Sequence, residues 1–165
     1  MAVDLDAYFR RIGYARERTP TFNTLRAICR LHPQAIAFEN LNPFMKWPVN
    51  LDLLSLEQKM VRDGRGGYCF EQNLLLSHVL KALGFQVREL AGRVVWNLPE
   101  NAMTPQTHML LQVALDEQDY IVDVGFGLGT LTAPLRLQIN IEQSTPHEPC
   151  RLIKSGEDFV SSFQS

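Results

Sequence analysis

A chain of 165 residues, 45% hydrophobic and 21% charged, has the composition of a folded domain with a core rather than of a disordered segment. A net charge of −2 gives no footing for nucleic acid, and no apolar run approaches the ~20 residues of a membrane span, so neither partner is expected. Three widely spaced cysteines, Cys29, Cys69 and Cys150, form no disulfide framework and suit a reducing cytoplasm; Asp4 and Asp6 stand where a secretion signal would carry its apolar segment.

Leu5, Tyr8, Phe9 and Ile12 recur at helical spacing and predict an amphipathic helix over residues 4–16. Phe22, Leu25, Ile28 and Cys29 predict a second over residues 21–32, with Pro33 ending it and Cys29 in the core. After a loop with Pro43 and Pro48, Ser55-Leu56-Glu57-Gln58 reads as a capping box, with Ser55 as the cap of a helix that ends near Gly64. Gly66 and Gly67 then read as a sharp turn opening into a helix at Cys69, which runs through Leu74, Leu75, Leu76, Val79, Leu80 and Leu83 to a stop at Gly84.

The pattern changes at Phe85. Residues 85–90 and 92–96 read as strands, 97–106 as a loop, and 107–115 as an alternating strand. A hairpin turn at 116–119 leads to a return strand over 120–124 and a glycine-rich loop at 125–130. Two short strands, 151–153 and 159–163, follow. A helical half followed by a strand half predicts an α+β fold, with residues 1–84 as a helical bundle and 85–165 as a β-rich unit. The final strand has no element after it and leaves an open edge, so either the chain is a fragment or a partner, a second copy included, covers that edge.

A cysteine at a helix start faces unpaired backbone N–H groups and the positive end of the helix dipole, and both favour the nucleophilic thiolate. The competing reading of Cys69 is a buried core cysteine. Of four histidines, His32 and His147 sit beside prolines, and His78 lies nine residues along the same helix, beyond reach of the sulfur. His108 opens a strand of the β-rich half; alone, it reads as a histidine hydrogen-bonded on a strand face. Asp123, flanked by Ile121, Val122 and Val124, is either a paired carboxylate or a cap for the glycine turn. A turn at 116–119 sets Asp123 opposite Gln112, on the face of His108 but ~13 Å from it along the strand, so contact requires a bulge, a bend or another register.

Arg65-Gly66-Gly67-Tyr68-Cys69-Phe70-Glu71-Gln72-Asn73, then Thr107-His108, then Val122-Asp123-Val124-Gly125-Phe126-Gly127 resemble the arylamine N-acetyltransferases in residue type and order, and Phe38-Glu39-Asn40-Leu41 resembles a further motif of that family. The resemblance runs over essentially the whole chain. It implies a helical first domain, a second domain built as an antiparallel β-barrel, and a papain- or transglutaminase-like placing of the cysteine helix. It also implies that the chain stops within the second domain, without the third domain that helps to bind coenzyme A. It makes Cys69, His108 and Asp123 the catalytic triad of a ping-pong transfer. The acetyl group would pass from acetyl-CoA to the cysteine, then to the nitrogen or oxygen of an arylamine, hydrazine or arylhydroxylamine, with no metal. Phe38, Val95 and Phe126 resemble acceptor-pocket positions, and Thr104, Gly125 and Gly127 coenzyme-binding ones. Phe38 and Phe126 read equally as core. Arg65 and Glu39 are expected to pair beneath the turn at Cys69.

Three other readings stand beside this one. The same triad serves thiol hydrolases and transglutaminase-like enzymes, where water or a lysine takes the acyl group. Cys29 and His32 with His147 and Cys150 have the residue types of a zinc site. An inactive truncated chain would act as a binding module.

Overall fold

The computed structural model describes residues 2–95, 98, 104–155 and 158–163. Helix α1 (Leu5–Ile12) begins where Asp4 Oδ1 accepts the Ala7 N–H at 2.9 Å and ends at Gly13, whose φ of 69° allows a left-handed cap. Helix α2 (Phe22–Ala35) carries Pro33 inside its last turn instead of stopping before it. The Ile36 N–H closes that turn on the His32 carbonyl at 2.8 Å, and the buried His32 ring is held on both sides by side chains. Tertiary contacts thus override the local penalty of proline.

A short α3 (Leu41–Phe44) precedes α4 (Leu53–Leu56), which continues as a π-helical stretch, Glu57–Arg62. The cap of α4 is Asp52, not Ser55: Asp52 accepts the Ser55 N–H at 3.1 Å and the Ser55 hydroxyl at 2.7 Å. Gln58 bonds Asp63 at 2.6 Å rather than reaching back. Aspartate and serine share capping chemistry, and here the aspartate three residues earlier takes the position. Helix α5 (Cys69–Ala82) buries Leu75, Leu76, Val79 and Leu80, and the chain leaves it through Gly84 at φ 93°.

Strands β1 (Gln86–Gly92), β2 (His108–Leu115), β3 (Gln118–Val122) and β4 (Leu135–Arg136) form an antiparallel sheet in that order. Strands β5 (Glu142–Gln143), β6 (Cys150–Ser155) and β7 (Asp158–Phe163) form a second. Among the described residues these are two open sheets and no closed barrel, so the fold is α+β with a simpler strand arrangement than expected. The two strands expected over 85–96 are one, β1; Arg93 to Val95 lie outside any strand, and Trp96 lies outside the described residues.

Met109, Leu111, Val113, Val122 and Val124 join the helical side chains in one buried cluster, so one face of this sheet packs on the helices. Ile121, Leu131, Leu135, Cys150 and Leu152 form a smaller cluster, to which Leu110 packs from the other face of β2.

The β2–β3 turn consists of Asp116 and Glu117 alone, at φ 49° and 61°, and Leu115 pairs with Gln118. Positive φ at both central residues is the geometry whose twist matches a tight hairpin. The turn is two residues shorter than expected. Gln112 therefore faces Ile121, and Asp123 follows the end of β3 two residues nearer to His108 than a turn at 116–119 would put it.

Candidate active site

Cys69 is the first residue of α5, and the segment before it is packed too tightly for side chains. A Cβ on Gly66 would lie 2.0 Å from the Ala37 carbonyl oxygen. One on Gly67 would lie 2.9 Å from both Met60 Sδ and Glu71 Cβ. Neither glycine has positive φ, so their role is close approach rather than a sharp turn. Residues 37–39 run parallel to this segment: the Gly67 N–H donates to Ala37 O at 3.2 Å and the Glu39 N–H to Gly67 O at 3.0 Å.

Charged side chains brace the same turn. Arg65 donates to Glu39 and, at 2.8 Å, to Asn42, so the expected pair forms. Lys59 Nζ stands 2.7 and 2.9 Å from the two oxygens of Glu71, which is 2% exposed, and 3.5 Å from Glu39. Burial works against the charge of Glu39, but Arg65, the Gly66 N–H and Lys59 outweigh it and hold its carboxyl below the usual range. Glu71 also accepts the Tyr68 N–H at 3.1 Å. A cavity of about 520 Å³ lined by Asn42, Leu54, Lys59, Arg65 and Glu71 lies beside this brace and includes neither Cys69 nor His108.

The thiol of Cys69 points at the Thr107 carbonyl, 3.8 Å away, beside the residue that opens β2. That residue is His108, and its Nε2 lies 2.5 Å from Asp123 Oδ2. Two residues of register are worth ~7 Å, and diagonal neighbours across a hairpin are within reach of long side chains, so the tight turn brings this pair together without a bulge. Burial disfavours the charged imidazole, but its hydrogen bond to Asp123 and the neighbouring Cys69 outweigh it, and the pKa of His108 is raised to about 9. With Nε2 engaged by Asp123, Nδ1 is the nitrogen left to serve the sulfur.

The other expected site residues divide. Phe126 sets its ring edge-on against His108, centroids 5.0 Å apart at 81°. Phe38 is 47% exposed and lies against Gly127, where an added Cβ would meet its ring at 3.7 Å. Phe38, Phe126 and His108 thus border one surface near Cys69. Val95 is partly exposed beyond β1. Thr104 donates its hydroxyl to Val94 O at 3.2 Å and accepts from Arg93 through its carbonyl. Gly125 is pressed against the start of α5: a Cβ there would lie 2.8 Å from Cys69 Cα and 3.0 Å from Asn73 Nδ2. Its N–H donates to Asp123 Oδ1 at 2.9 Å and is not free for a phosphate.

Several contributors have no counterpart among the expected site residues. Asn73, one turn after Cys69, donates to Met109 O at 2.8 Å and Asp123 Oδ1 at 3.0 Å, and accepts the Val124 N–H at 3.2 Å. Gln72 donates to Ile36 O at 3.2 Å and Ala37 O at 2.9 Å, which leaves its Oε1 to accept from His32 Nε2 at 2.7 Å. His32 Nδ1 then accepts from the Tyr8 hydroxyl at 2.8 Å. Burial keeps this ring neutral and lowers its pKa to about 4. Both ring nitrogens are committed, which removes His32 from the alternative zinc set; among the described residues no group of three or more acidic, histidine or cysteine side chains converges on a metal position. A polar residue on the face of an otherwise apolar helix was the available signal for both Gln72 and Asn73.

Fold and site define an α+β chain whose cysteine begins a helix and whose histidine–aspartate pair comes from the adjoining sheet. The N-acetyltransferase family model matches residues 21–165. An arylamine N-acetyltransferase of Mycolicibacterium smegmatis is 47% identical over 99% of this chain and 61% of its own length. The arylamine N-acetyltransferase / N-hydroxyarylamine O-acetyltransferase of Salmonella typhimurium is 44% identical over 97% of this chain and 57% of its own. The solved structure of Mycobacterium marinum arylamine N-acetyltransferase in complex with CoA superposes with a TM-score of 0.92 at 48% identity, over 97% of this chain and 60% of that one. The chain belongs to the arylamine N-acetyltransferase family, and it spans about three fifths of the length of these relatives.

Proposed function

We propose that this chain carries the reacting centre of an acetyltransferase that moves an acetyl group from acetyl-CoA, through a thioester on Cys69, to the nitrogen or oxygen of an arylamine, hydrazine or arylhydroxylamine. The observation that carries the reading is the His108–Asp123 contact at 2.5 Å beside the sulfur at the start of α5. His108 takes the thiol proton, and Asp123 orients the ring and stabilises its charge. The thiolate attacks the thioester carbonyl, the carbon–sulfur bond to coenzyme A breaks, and the imidazolium returns its proton to the departing thiolate. The acceptor then attacks acetyl-Cys69, His108 takes the acceptor's proton, and the cysteine thiolate leaves. N–H groups in the first turn of α5 are the candidate oxyanion donors; that of Tyr68 is excluded, being held by Glu71.

Phe38 and Phe126 present aromatic surface to a flat acceptor, with Val95 as a further pocket residue. Gly127 and Thr104 are the coenzyme-side candidates. Gly125 acts from behind the cysteine. No metal enters the chemistry, and three free cysteines suit a cytoplasmic setting. The division into residues 1–84, supplying the nucleophile, and 85–165, supplying its partners, belongs to the same reading.

Mass spectrometry of the chain after exposure to acetyl-CoA tests it. The expected result is a gain of one acetyl group on Cys69, discharged by an arylamine and absent in Cys69→Ser. Amide or peptide hydrolysis without dependence on acetyl-CoA would overturn it in favour of a thiol hydrolase.

A further inference from the structure

Asn73 makes three hydrogen bonds with one side chain, and each reaches a different part of the site. Its position four residues after Cys69 puts it on the helix face of the nucleophile. Its Nδ2 grips the Met109 carbonyl, the residue after His108, at 2.8 Å. The same nitrogen holds Asp123 Oδ1 at 3.0 Å, leaving Oδ2 for His108. Its Oδ1 accepts the Val124 N–H at 3.2 Å and so fixes the backbone beyond Asp123. The amide is wholly buried. Asparagine alone among small side chains offers two donors and an acceptor at this reach; aspartate would lose both donors and set a charge against Asp123.

We propose that Asn73 is the positioning residue that locks Asp123, and through it His108, in register with Cys69. The proposal rests on the reading of Cys69, His108 and Asp123 as the reacting set. Three segments meet here: the start of α5, the start of β2 and the end of β3. The two strands are laddered to each other, but among the described residues no backbone hydrogen bond joins α5 to either. Gly125 lets the third approach, and Asn73 ties it to the other two. Asp123 is met from β2 by His108 and from α5 by Asn73, and Cys29 of α2 is a further titratable group that feels its charge.

The test is the rate of Cys69 alkylation by iodoacetamide, which needs neither acetyl-CoA nor an acceptor. If acetyl transfer fails while alkylation behaves as expected, the function is wrong and the role of Asn73 stands. In folded Asn73→Ala the rate is expected to fall about tenfold at mildly acidic pH, where His108 held by Asp123 must take the thiol proton, and little at alkaline pH, where solvent hydroxide takes it instead. In an Asp123→Asn background, Asn73→Ala is expected to add nothing, because its effect passes through the carboxylate. A pH profile equal to the parent's, or fully additive effects of the two substitutions, overturns the proposal. Should Asn73→Ala fail to fold, nuclear magnetic resonance of the unsubstituted protein decides instead. The Asn73 amide protons are expected to shift as His108 titrates, and their indifference to that titration overturns the proposal.

Discussion

His108 and Asp123 meet across a hairpin whose turn is only Asp116 and Glu117, both at positive φ. Glutamate is poorly suited to a left-handed conformation that glycine adopts freely. Glu117→Gly is therefore expected to stabilise the protein by ~1 kcal/mol, the size of the steric penalty it removes. That corresponds to a rise of roughly 2–4 °C in melting temperature for a chain of this size. Calorimetry checks it, and a lowered melting temperature would show that the turn is held by contacts of the glutamate side chain.

Two glycines make a controlled comparison. Gly125→Ala drives a methyl group into the backbone of Cys69, whereas Gly13→Ala meets nothing within 4 Å and suffers only its φ of 69°. Overpacking costs ~1–3 kcal/mol and displaces what it touches; an unfavourable φ costs about 1 kcal/mol. Gly125→Ala is expected to lose acetylation of Cys69 more than tenfold, a barrier increase above ~1.4 kcal/mol. Gly13→Ala is expected to keep the rate at a lowered melting temperature. Equal acetylation rates in the two variants would remove Gly125 from the site.

Lys59 is the cation nearest to Glu71, and Glu71 sits under the helix start. Lys59→Met leaves that buried carboxylate without its partner, which typically costs ~3–5 kcal/mol. Adding Glu71→Gln removes the stranded charge and is expected to restore more than half of the loss. Urea unfolding of the single and double variants measures both steps, and a single-variant loss below ~1 kcal/mol would mean that solvent already screens the pair.

The two buried histidines pull stability in opposite directions. His32 has its pKa lowered from 6.5 to about 4, so the unfolded chain binds the extra proton between those values and stability falls as pH drops through them. The loss is on the order of 3 kcal/mol at ~1.4 kcal/mol per unit. His108 has its pKa raised from 6.5 to about 9, so its contribution is complete below 6.5 and is lost as pH rises toward 9. Melting temperature is expected to peak near pH 6.5, and His32→Leu is expected to flatten the acidic limb. An acidic limb unchanged in that variant would assign it to the carboxylates instead.

The extent to which the sequence carried the site depended on whether the determining interaction was local. Helix α5 and the hydrophobic alternation of β2 were legible because side-chain period and burial go together. The pairing of Arg65 with Glu39 came through motif resemblance, and so did the grouping of Cys69, His108 and Asp123. Strand spacing alone set His108 and Asp123 apart, because Asp116 and Glu117 have no glycine to announce a two-residue turn. Pro33 misled for the opposite reason: its local rule is sound, but the Tyr8–His32–Gln72 chain holds the helix together across it. The tasks of Gly66, Gly67 and Gly125 were hidden because they concern distances to residues far away in the chain.

The burial of the other two thiols makes the folded protein a molecule with one addressable sulfur. Cys29 is 1% exposed and Cys150 0%, and burial pushes both thiols up, Cys150 to about 11. Of the three, Cys69 is the most exposed, at 9%, and it alone lies at the start of a helix. An excess of a mild electrophile thus labels one sulfur in each folded chain, and the number of labelled sulfurs climbs from one to three as the protein opens, giving a chemical clock for unfolding that needs no spectroscopic probe.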